Sequence, residues 1–392
     1  MNHPIKSSMK RRHFLSQLAL LPLSLSATKL FADSFDDFVK SQQVGVEKIK
    51  NDFQSYQERY LDAFAQYKHE LEQEWQNVEV TNQQLWVEYS KDLQQKIVID
   101  YAFNEIRLSY KTTKNSVENN SLAPASLNQD LKSLLNLSEY QAIKNDPVTR
   151  LNNEQPNQDS PTKNRILLSE LNDIYGDIDV AAKNLAHAAL ITDETTSKGQ
   201  VVIVKIPLPK QLPIKRAEKY YTSAEKAAKK WNIDTALVMA ITHTESHFNP
   251  LARSHIPAFG LMQIVPSSAG KDASKYMTGK SRILTSTELY QPDFNLATGS
   301  AYLSMLQTRY LKGINDPTSR LYCAIAAYNT GTGNVAKAFI GHASMQRAFG
   351  VINQLSPERV FEILKKDLPY AETRRYLVKV MGHMESYQKA LA

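Results

Sequence analysis

The residue in this chain best suited to acid–base chemistry is Glu245, which follows an apolar stretch. Residues 236–241 are apolar on every helical face, so we expect a helix that is buried all round. Asp234 can cap its start. Burial and the negative end of the helix dipole both disfavour an ionised carboxylate, so the pKa of Glu245 should be raised. Such a group can act as a general acid, although a glutamate that ends a buried helix is more often a structural residue.

Three later segments carry side chains suited to sugar binding. In chain order they are Gly260-Leu261-Met262-Gln263-Ile264, Ala327-Tyr328-Asn329-Thr330-Gly331 and Glu372-Thr373-Arg374-Arg375-Tyr376. A tyrosine ring can stack on a sugar face, and side-chain amides give directional hydrogen bonds. A structural interpretation also stands, in which Tyr328 and Asn329 close a helix-to-loop turn and Gly260 serves only the backbone geometry.

The order and spacing of these segments resemble the family of soluble-type lytic transglycosylase domains, which have a goose-lysozyme-like helical fold. The resemblance extends over residues 216–392. It implies that Glu245 is the catalytic residue, first an acid and then a base, and that Ser254 contacts the N-acetyl group of the reacting sugar. It also implies substrate-binding roles for Met262, Gln263, Tyr328, Asn329, Glu372 and Tyr376.

The activity implied by this resemblance is cleavage of the β-1,4 bond between MurNAc and GlcNAc in peptidoglycan, which leaves 1,6-anhydro-MurNAc ends and needs no cofactor. Glycosidases normally use two carboxylates, whereas the motifs here bring one plainly to the centre. Two alternatives stay open. Asp272 or Asp293 could supply a second carboxylate for a lysozyme-like hydrolase, or the domain could bind peptidoglycan without cleaving it.

Metal and thiol chemistry are not expected. His243 and His247 have the spacing of helical zinc ligands, but the segment His-Thr-Glu-Ser-His lacks the arrangement of the zincin motif. Cys323 is the single cysteine, which excludes an intramolecular disulfide, and its apolar neighbours predict a buried, inert thiol.

The charge pattern bears on partners. The formal net charge is +7, and charged residues of both signs are scattered along the chain. This mildly favours an anionic polymer or surface as the binding partner. Nucleic acid is not expected, because there is no zinc-ligand array, aromatic RNA-binding signature or arginine-rich arm. The expected partner is the peptidoglycan glycan strand, and cell-wall or envelope proteins bound through the N-terminal domain form a second possibility.

The first residues have the features of an export signal. Lys10, Arg11 and Arg12 precede the apolar run 18–25, and Ala32 offers a cleavage site, so residues 1–32 are assigned to the signal and the mature chain to the periplasm. Both Sec and twin-arginine export fit this pattern. Lipoproteins of the resembled family are anchored through an N-terminal cysteine. No such cysteine precedes Cys323, so only an uncut signal would give membrane association.

The remaining chain divides into two predicted domains. Helical periodicity over 33–75 and strand-like alternation within 85–110 precede helices at 126–143 and 165–191, a loop at 144–163 and a strand at 201–206. These elements predict an α+β accessory domain over 33–206. Pro207, Pro209 and Pro213 predict a stiff extended linker at 207–215. Helices alone follow over 216–392, as expected for an all-α lysozyme-like catalytic domain.

Overall fold

The computed structural model describes residues 55–112, 124–255 and 257–391, all within one compact unit that runs from Phe53 to Ala392. The predicted export signal and the first part of the helix predicted over 33–75 lie outside the described residues. Within the described ranges, no helix is both long enough and apolar enough to cross a membrane.

The N-terminal part is built on a five-stranded antiparallel sheet. A helix, α1, covers residues 55–74. The strands are β1 (Leu85–Tyr89), β2 (Gln95–Asp100), β3 (Glu105–Thr112), β4 (Leu190–Thr196) and β5 (Gly199–Pro207). Their order in the sheet is β1-β2-β3-β5-β4. The strands predicted within 85–110 and at 201–206 are therefore confirmed.

Short helices cover the rest of this part. They are α2 (Pro124–Leu135), α3 (Glu139–Asn145), α4 (Pro147–Leu151), a 3-10 turn (Pro161–Asn164), α5 (Glu170–Tyr175) and α6 (Ile178–His187). The helix predicted at 126–143 is interrupted, because Ser138 begins α3 with a capping box. The segment predicted as a loop at 144–163 contains α4. The side chain of Asp146 caps this helix by accepting a hydrogen bond from the amide of Thr149.

The helix predicted at 165–191 needs a similar correction. Gly176, with φ of +78°, separates α5 from α6, and β4 begins at Leu190. Strand β4 lies at the edge of the sheet and is almost entirely exposed. Because neither face of this strand is buried, its sequence has no alternation of apolar and polar residues.

The named secondary-structure elements of the C-terminal part are all helices within its described residues. Its helices are α7 (Leu212–Trp231), α8 (Thr235–Ser246), α9 (Lys271–Thr278), α10 (Ser286–Leu289), α11 (Pro292–Met305), α12 (Pro317–Thr330), α13 (Thr332–Ile340), α14 (Met345–Ile352), α15 (Pro357–Asp367) and α16 (Ala371–Leu391). Helix α8 packs against α7, α11 and α16 at the centre of this part. The predicted fold class, an α+β region followed by an all-helical region, is confirmed.

The proline-rich segment at 207–215 is not an extended linker. Strand β5 ends at Pro207 and α7 begins at Leu212, with Pro213 in its first turn, where a missing amide hydrogen costs no helical hydrogen bond. Arg216 is 1% exposed and its guanidinium lies 4.6 Å from the centre of the Tyr101 ring. The two predicted domains are thus packed together, and the boundary between them stays a prediction.

Candidate active site

Glu245 lies near the C-terminal end of the buried helix α8. Asp234 accepts a hydrogen bond from the amide of Ala236 at the start of this helix, and residues 236–242 are buried. Glu245 itself is 8% exposed. Burial raises the pKa of its carboxyl group to about 8, and the negative charge of Glu372 acts in the same direction. The carboxyl group is therefore mainly protonated at neutral pH.

Helix α16 brings Tyr376 to this carboxyl group. Tyr376 is 6% exposed, whereas Glu372, in the first turn of the same helix, is exposed. The Tyr376 hydroxyl is close enough to lower the pKa of Glu245 somewhat, although the two groups do not meet the geometry of a conventional hydrogen bond. Burial and the nearby carboxylate raise the pKa of Tyr376, so its hydroxyl remains a proton donor.

Tyr328 and Asn329 lie at the end of α12. The Tyr328 hydroxyl donates a 2.8 Å hydrogen bond to the carbonyl oxygen of Met262. Burial raises the pKa of Tyr328 and the charge of Glu245 adds to this, so both residues belong to one electrostatic site. Asn329 is exposed, and its Oδ1 accepts a 2.7 Å bond from Thr373. This bond joins the end of α12 to the first turn of α16.

The predicted role of Met262 as a sugar contact requires a correction. Its side chain is fully buried and packs so closely on Gly299 that a Cβ added there would lie 2.3 Å from the Met262 sulfur. The side chain therefore cannot reach a substrate in this conformation. The backbone of Met262 contributes instead, since its carbonyl oxygen holds the Tyr328 hydroxyl.

Gln263 combines an unusual backbone with an open acceptor. Its φ of +49° lies in the left-handed region, which residues other than glycine seldom adopt. Its Nε2 donates a 3.0 Å bond to the carbonyl oxygen of Gly260, and its Oε1 is buried without a hydrogen-bond partner. Buried polar atoms are normally paired, so this oxygen is available to a donor on a ligand.

Ser254 lies in a small hairpin that leads into the same segment. Its amide donates a 3.1 Å bond to the carbonyl oxygen of Ala258, and the chain returns to pair Phe259 with Ile264. The carbonyl oxygen of Ser254 accepts a 3.2 Å bond from the hydroxyl of Tyr60, which belongs to α1. The structure thus brings Glu245, Tyr328 and Tyr376 together and places Ser254 where the N-terminal part contacts the helical part.

Comparison with known proteins assigns this part of the chain. Residues 222–347 match the family model of the transglycosylase SLT domain. This segment is similar to the transglycosylase SLT domain. It contains Glu245, Ser254, Gln263 and Tyr328, whereas Tyr376 and the rest of α16 follow it.

Curated relatives of the SLT domain extend the match. A membrane-bound lytic murein transglycosylase C from Sodalis glossinidius is 44% identical over 195 residues, which cover 50% of this chain and 54% of that protein. One from Cronobacter sakazakii is 46% identical over 175 residues, 45% of this chain and 48% of that protein. The chain thus spans about half the length of the curated relatives it matches.

Among solved structures, the 70 kDa soluble lytic transglycosylase from Escherichia coli aligns with 71% of this chain and 44% of its own. The identity is 18% and the TM-score is 0.35.

The two aspartates considered as second carboxylates of the SLT domain are engaged elsewhere. Asp272 accepts a 3.0 Å bond from the hydroxyl of Tyr310. Asp293 accepts a 2.5 Å bond from Ser223 and lies 3.0 Å from Arg165 of the N-terminal part. Among the described residues, Glu372 is the acidic group whose charge raises the pKa of Glu245, and neither aspartate does so.

Asn295 is a site-forming residue of the SLT domain that the sequence analysis missed. It is fully buried. Its Oδ1 accepts a hydrogen bond from the backbone amide of Met262, and its Nδ2 donates to the carbonyl oxygens of Phe259 and Leu289, each at 2.8 Å. This fixes the backbone of the Gly260 segment from within α11. The signal was present, because Asn295 is a lone amide in the largely apolar helix α11, but its partners are not visible in the sequence.

The histidines beside Glu245 form a stacked group. His243 lies 3.9 Å from the ring of His383, and its Nδ1 is 3.1 Å from the Tyr387 hydroxyl. Burial lowers the pKa of His243 to about 3 and that of His247 to about 4, so both are neutral at pH 7. The described residues hold no set of three acidic, histidine or cysteine side chains arranged for a metal ion.

Proposed function

We propose that the chain is a lytic transglycosylase that cleaves the MurNAc–GlcNAc β-1,4 bond of peptidoglycan and leaves 1,6-anhydro-MurNAc ends, in cell-wall remodelling and turnover. The observation that carries this proposal is the buried carboxyl group of Glu245, which is protonated at neutral pH and lies beside Tyr328 and Tyr376. The relatives named as lytic murein transglycosylases, which are up to 46% identical, support the reaction class.

In the first step, Glu245 acts as a general acid. It donates its proton to the glycosidic oxygen, the bond from this oxygen to C1 of MurNAc breaks, and the GlcNAc residue leaves with a free 4-hydroxyl group. Positive charge develops at C1, where the substrate's own N-acetyl group can stabilise it. Glu245 becomes a carboxylate, and the adjacent Tyr376 hydroxyl lowers the cost of that charge.

In the second step, the same residue acts as a base. The carboxylate of Glu245 takes the proton from the C6 hydroxyl group of MurNAc, and O6 forms a bond to C1. The product is the 1,6-anhydro sugar, Glu245 is protonated again, and no water is consumed. The buried surroundings favour this return to the neutral acid because they penalise the carboxylate.

The remaining site residues bind the sugars in this proposal. Gln263 offers its unpaired Oε1 to a hydroxyl or amide donor. Asn329 and Glu372 present exposed polar groups at the ends of α12 and α16, and Ser254 serves the N-acetyl group. Tyr328 has its hydroxyl committed to Met262, so its ring is the part available to a sugar.

The proposed location is the periplasm, where peptidoglycan lies. The export signal predicted at residues 1–32 and the scattered positive charge agree with this location, and the names of the relatives describe membrane-bound proteins. Glycan strands are the proposed substrate and partner. Binding of envelope proteins by the α+β region remains a proposal without a named ligand.

Digestion of intact sacculi tests the function. We expect mass spectrometry to find anhydro ends from the unaltered chain, and no cleavage but retained glycan binding from Glu245→Gln. Water-terminated ends would instead support the hydrolase, with Asp272→Asn, Asp293→Asn and Glu372→Gln identifying its second carboxylate. Unchanged sacculi with both proteins would support a binding module.

A further inference from the structure

The loop that carries Ser254 is held from two sides. On one side, Asn295 and Ser246 of the helical part fix residues 259–262, since Ser246 donates a 2.7 Å bond to the carbonyl oxygen of Leu261. On the other side, Arg253 and Ser254 contact the N-terminal part. The loop therefore lies between the two parts, and its two ends have different supports.

Arg253 makes the strongest of these contacts. Its guanidinium donates a 2.8 Å hydrogen bond to the carboxylate of Asp146, which begins α4, and its side chain is 3% exposed. Its Nε and its amide lie 3.4 Å from the carbonyl oxygens of Thr81 and Asn82. All of these partners belong to the N-terminal part. Burial alone would lower the pKa of Arg253, but the Asp146 carboxylate and the other nearby groups raise it by more than burial lowers it. The side chain therefore stays charged and paired with Asp146.

Helix α1 supports the adjacent positions. Tyr60 is 3% exposed, donates its 3.2 Å bond to the carbonyl oxygen of Ser254, and meets the ring of Phe259 edge-on at 5.5 Å. The guanidinium of Arg253 lies 5.9 Å from the centre of the Phe64 ring, one turn further along α1. The hairpin from Arg253 to Phe259 is thus clamped at both of its strands by the N-terminal part.

We propose that Arg253 is a positioning residue for the proposed reaction, which fixes the Ser254 loop through Asp146 so that the α+β region completes the sugar-binding cleft. This inference rests on the proposed function. The α+β region then contributes to substrate binding through the loop, without contacting the reacting bond. A displacement of about 1 Å at a substrate-positioning group can change rates strongly. Loosening this clamp should also weaken glycan binding, because the Ser254 loop would no longer be held in its binding position.

Variants of the full chain test this proposal. Arg253→Met keeps the apolar stem and removes the charge, Arg253→Lys keeps the charge, and Tyr60→Phe removes one hydroxyl. Arg165→Gln is the matched control, because it breaks a different contact between the two parts, the 3.0 Å pair with Asp293, without touching the loop. Each variant is made in the Glu245→Gln background for binding and in the unaltered background for kinetics.

The expected results separate positioning from general stability. In the Glu245→Gln background, Arg253→Met should weaken the binding of purified glycan strands roughly tenfold, equivalent to about 1.4 kcal/mol. The affinities of Arg253→Lys and Tyr60→Phe for the strands should lie between those of Arg253→Met and the parent. Arg165→Gln should bind within about twofold of its parent. In the unaltered background, KM should rise more than kcat falls. Hydrogen exchange at the amides of Ser254 and Phe259 should be faster in Arg253→Met and unchanged in Arg165→Gln.

The outcomes also separate this inference from the proposed function. Binding within twofold of the parent for both Arg253→Met and Tyr60→Phe, with unchanged exchange at Ser254, would overturn the positioning role. If Arg253→Met fails to fold, Arg253→Lys and Tyr60→Phe decide the question by the same measurements. Weakened binding together with water-terminated or absent products would leave the positioning role standing and refute the lytic reaction instead.

Discussion

Replacing Glu245 with glutamine should stabilise the folded chain while it removes the proposed activity. The carboxyl group has a pKa of about 8 in the folded chain against an ordinary value of 4.5. Below pH 4.5 both the folded and the unfolded chain keep the proton, so burial costs little. Between pH 4.5 and 8 the unfolded chain releases a proton that the folded chain retains, and stability falls as pH rises.

The size of this effect follows from the two pKa values. Each pKa unit corresponds to about 1.4 kcal/mol, so the buried acid costs about 3 kcal/mol at pH 7 and approaches about 5 kcal/mol above pH 8. Glutamine has nearly the same shape and no charge to ionise. The gain in the free energy of unfolding for Glu245→Gln should therefore be small near pH 4.5 and about 3 kcal/mol at pH 7.

Urea denaturation of Glu245→Gln and the unaltered chain at pH 4.5, 6, 7 and 8 measures this difference. Glu362→Gln, an exposed position on α15, is the matched control and should show no comparable pH-dependent gain. A gain in Glu245→Gln that stays constant from pH 4.5 to 8, or a loss of stability at pH 7, would refute the claim that Glu245 is a buried acid with a raised pKa.

Three further outcomes follow from the same structure. The rate of cleavage should fall roughly tenfold per pH unit above about pH 8, as Glu245 loses its proton, and a flat profile from pH 7 to 10 would contradict its role as the acid. Gly260→Ala should lower the free energy of unfolding by more than about 3 kcal/mol, because the added Cβ would lie 2.3 Å from the carbonyl oxygen of Leu289. Gly279→Ala, at nearly the same φ but with open space around it, should lower this free energy by only about 1 kcal/mol. Chemical denaturation measures both changes. Cys323, fully buried and with its pKa raised by burial, should react with an alkylating reagent only as the chain unfolds, and rapid labelling of the native protein would show the packing of α12 to be wrong.

The sequence predicted the central acid because its signals are local. Residues 236–241 are apolar on every face, Asp234 caps the helix, and Glu245 follows within the same helix, so burial and helix position could both be inferred. The strands within 85–110 were predicted for the same reason, since alternating apolar residues face a core. Strand β4 was missed because an exposed edge strand leaves no such pattern.

Features that depend on distant contacts could not be predicted. Arg253 and Asp146 are 107 positions apart, and nothing near either residue indicates the pair. Met262 was assigned to the cleft from its motif, but the absence of a side chain at Gly299 lets α11 approach and bury it. The prolines at 207–215 predicted a linker, whereas Pro213 fits the first turn of α7 and Arg216 packs beneath Tyr101. In each of these cases tertiary packing decides the outcome.

The central claim is that one buried carboxyl group, Glu245, serves as acid and then base without consuming water. Digestion of sacculi in heavy-oxygen water tests it most directly. We predict that the new MurNAc ends carry no label, because O6 of the substrate forms the bond to C1. One heavy oxygen atom at C1 for each cleaved bond would show that water attacks, and would contradict the claim.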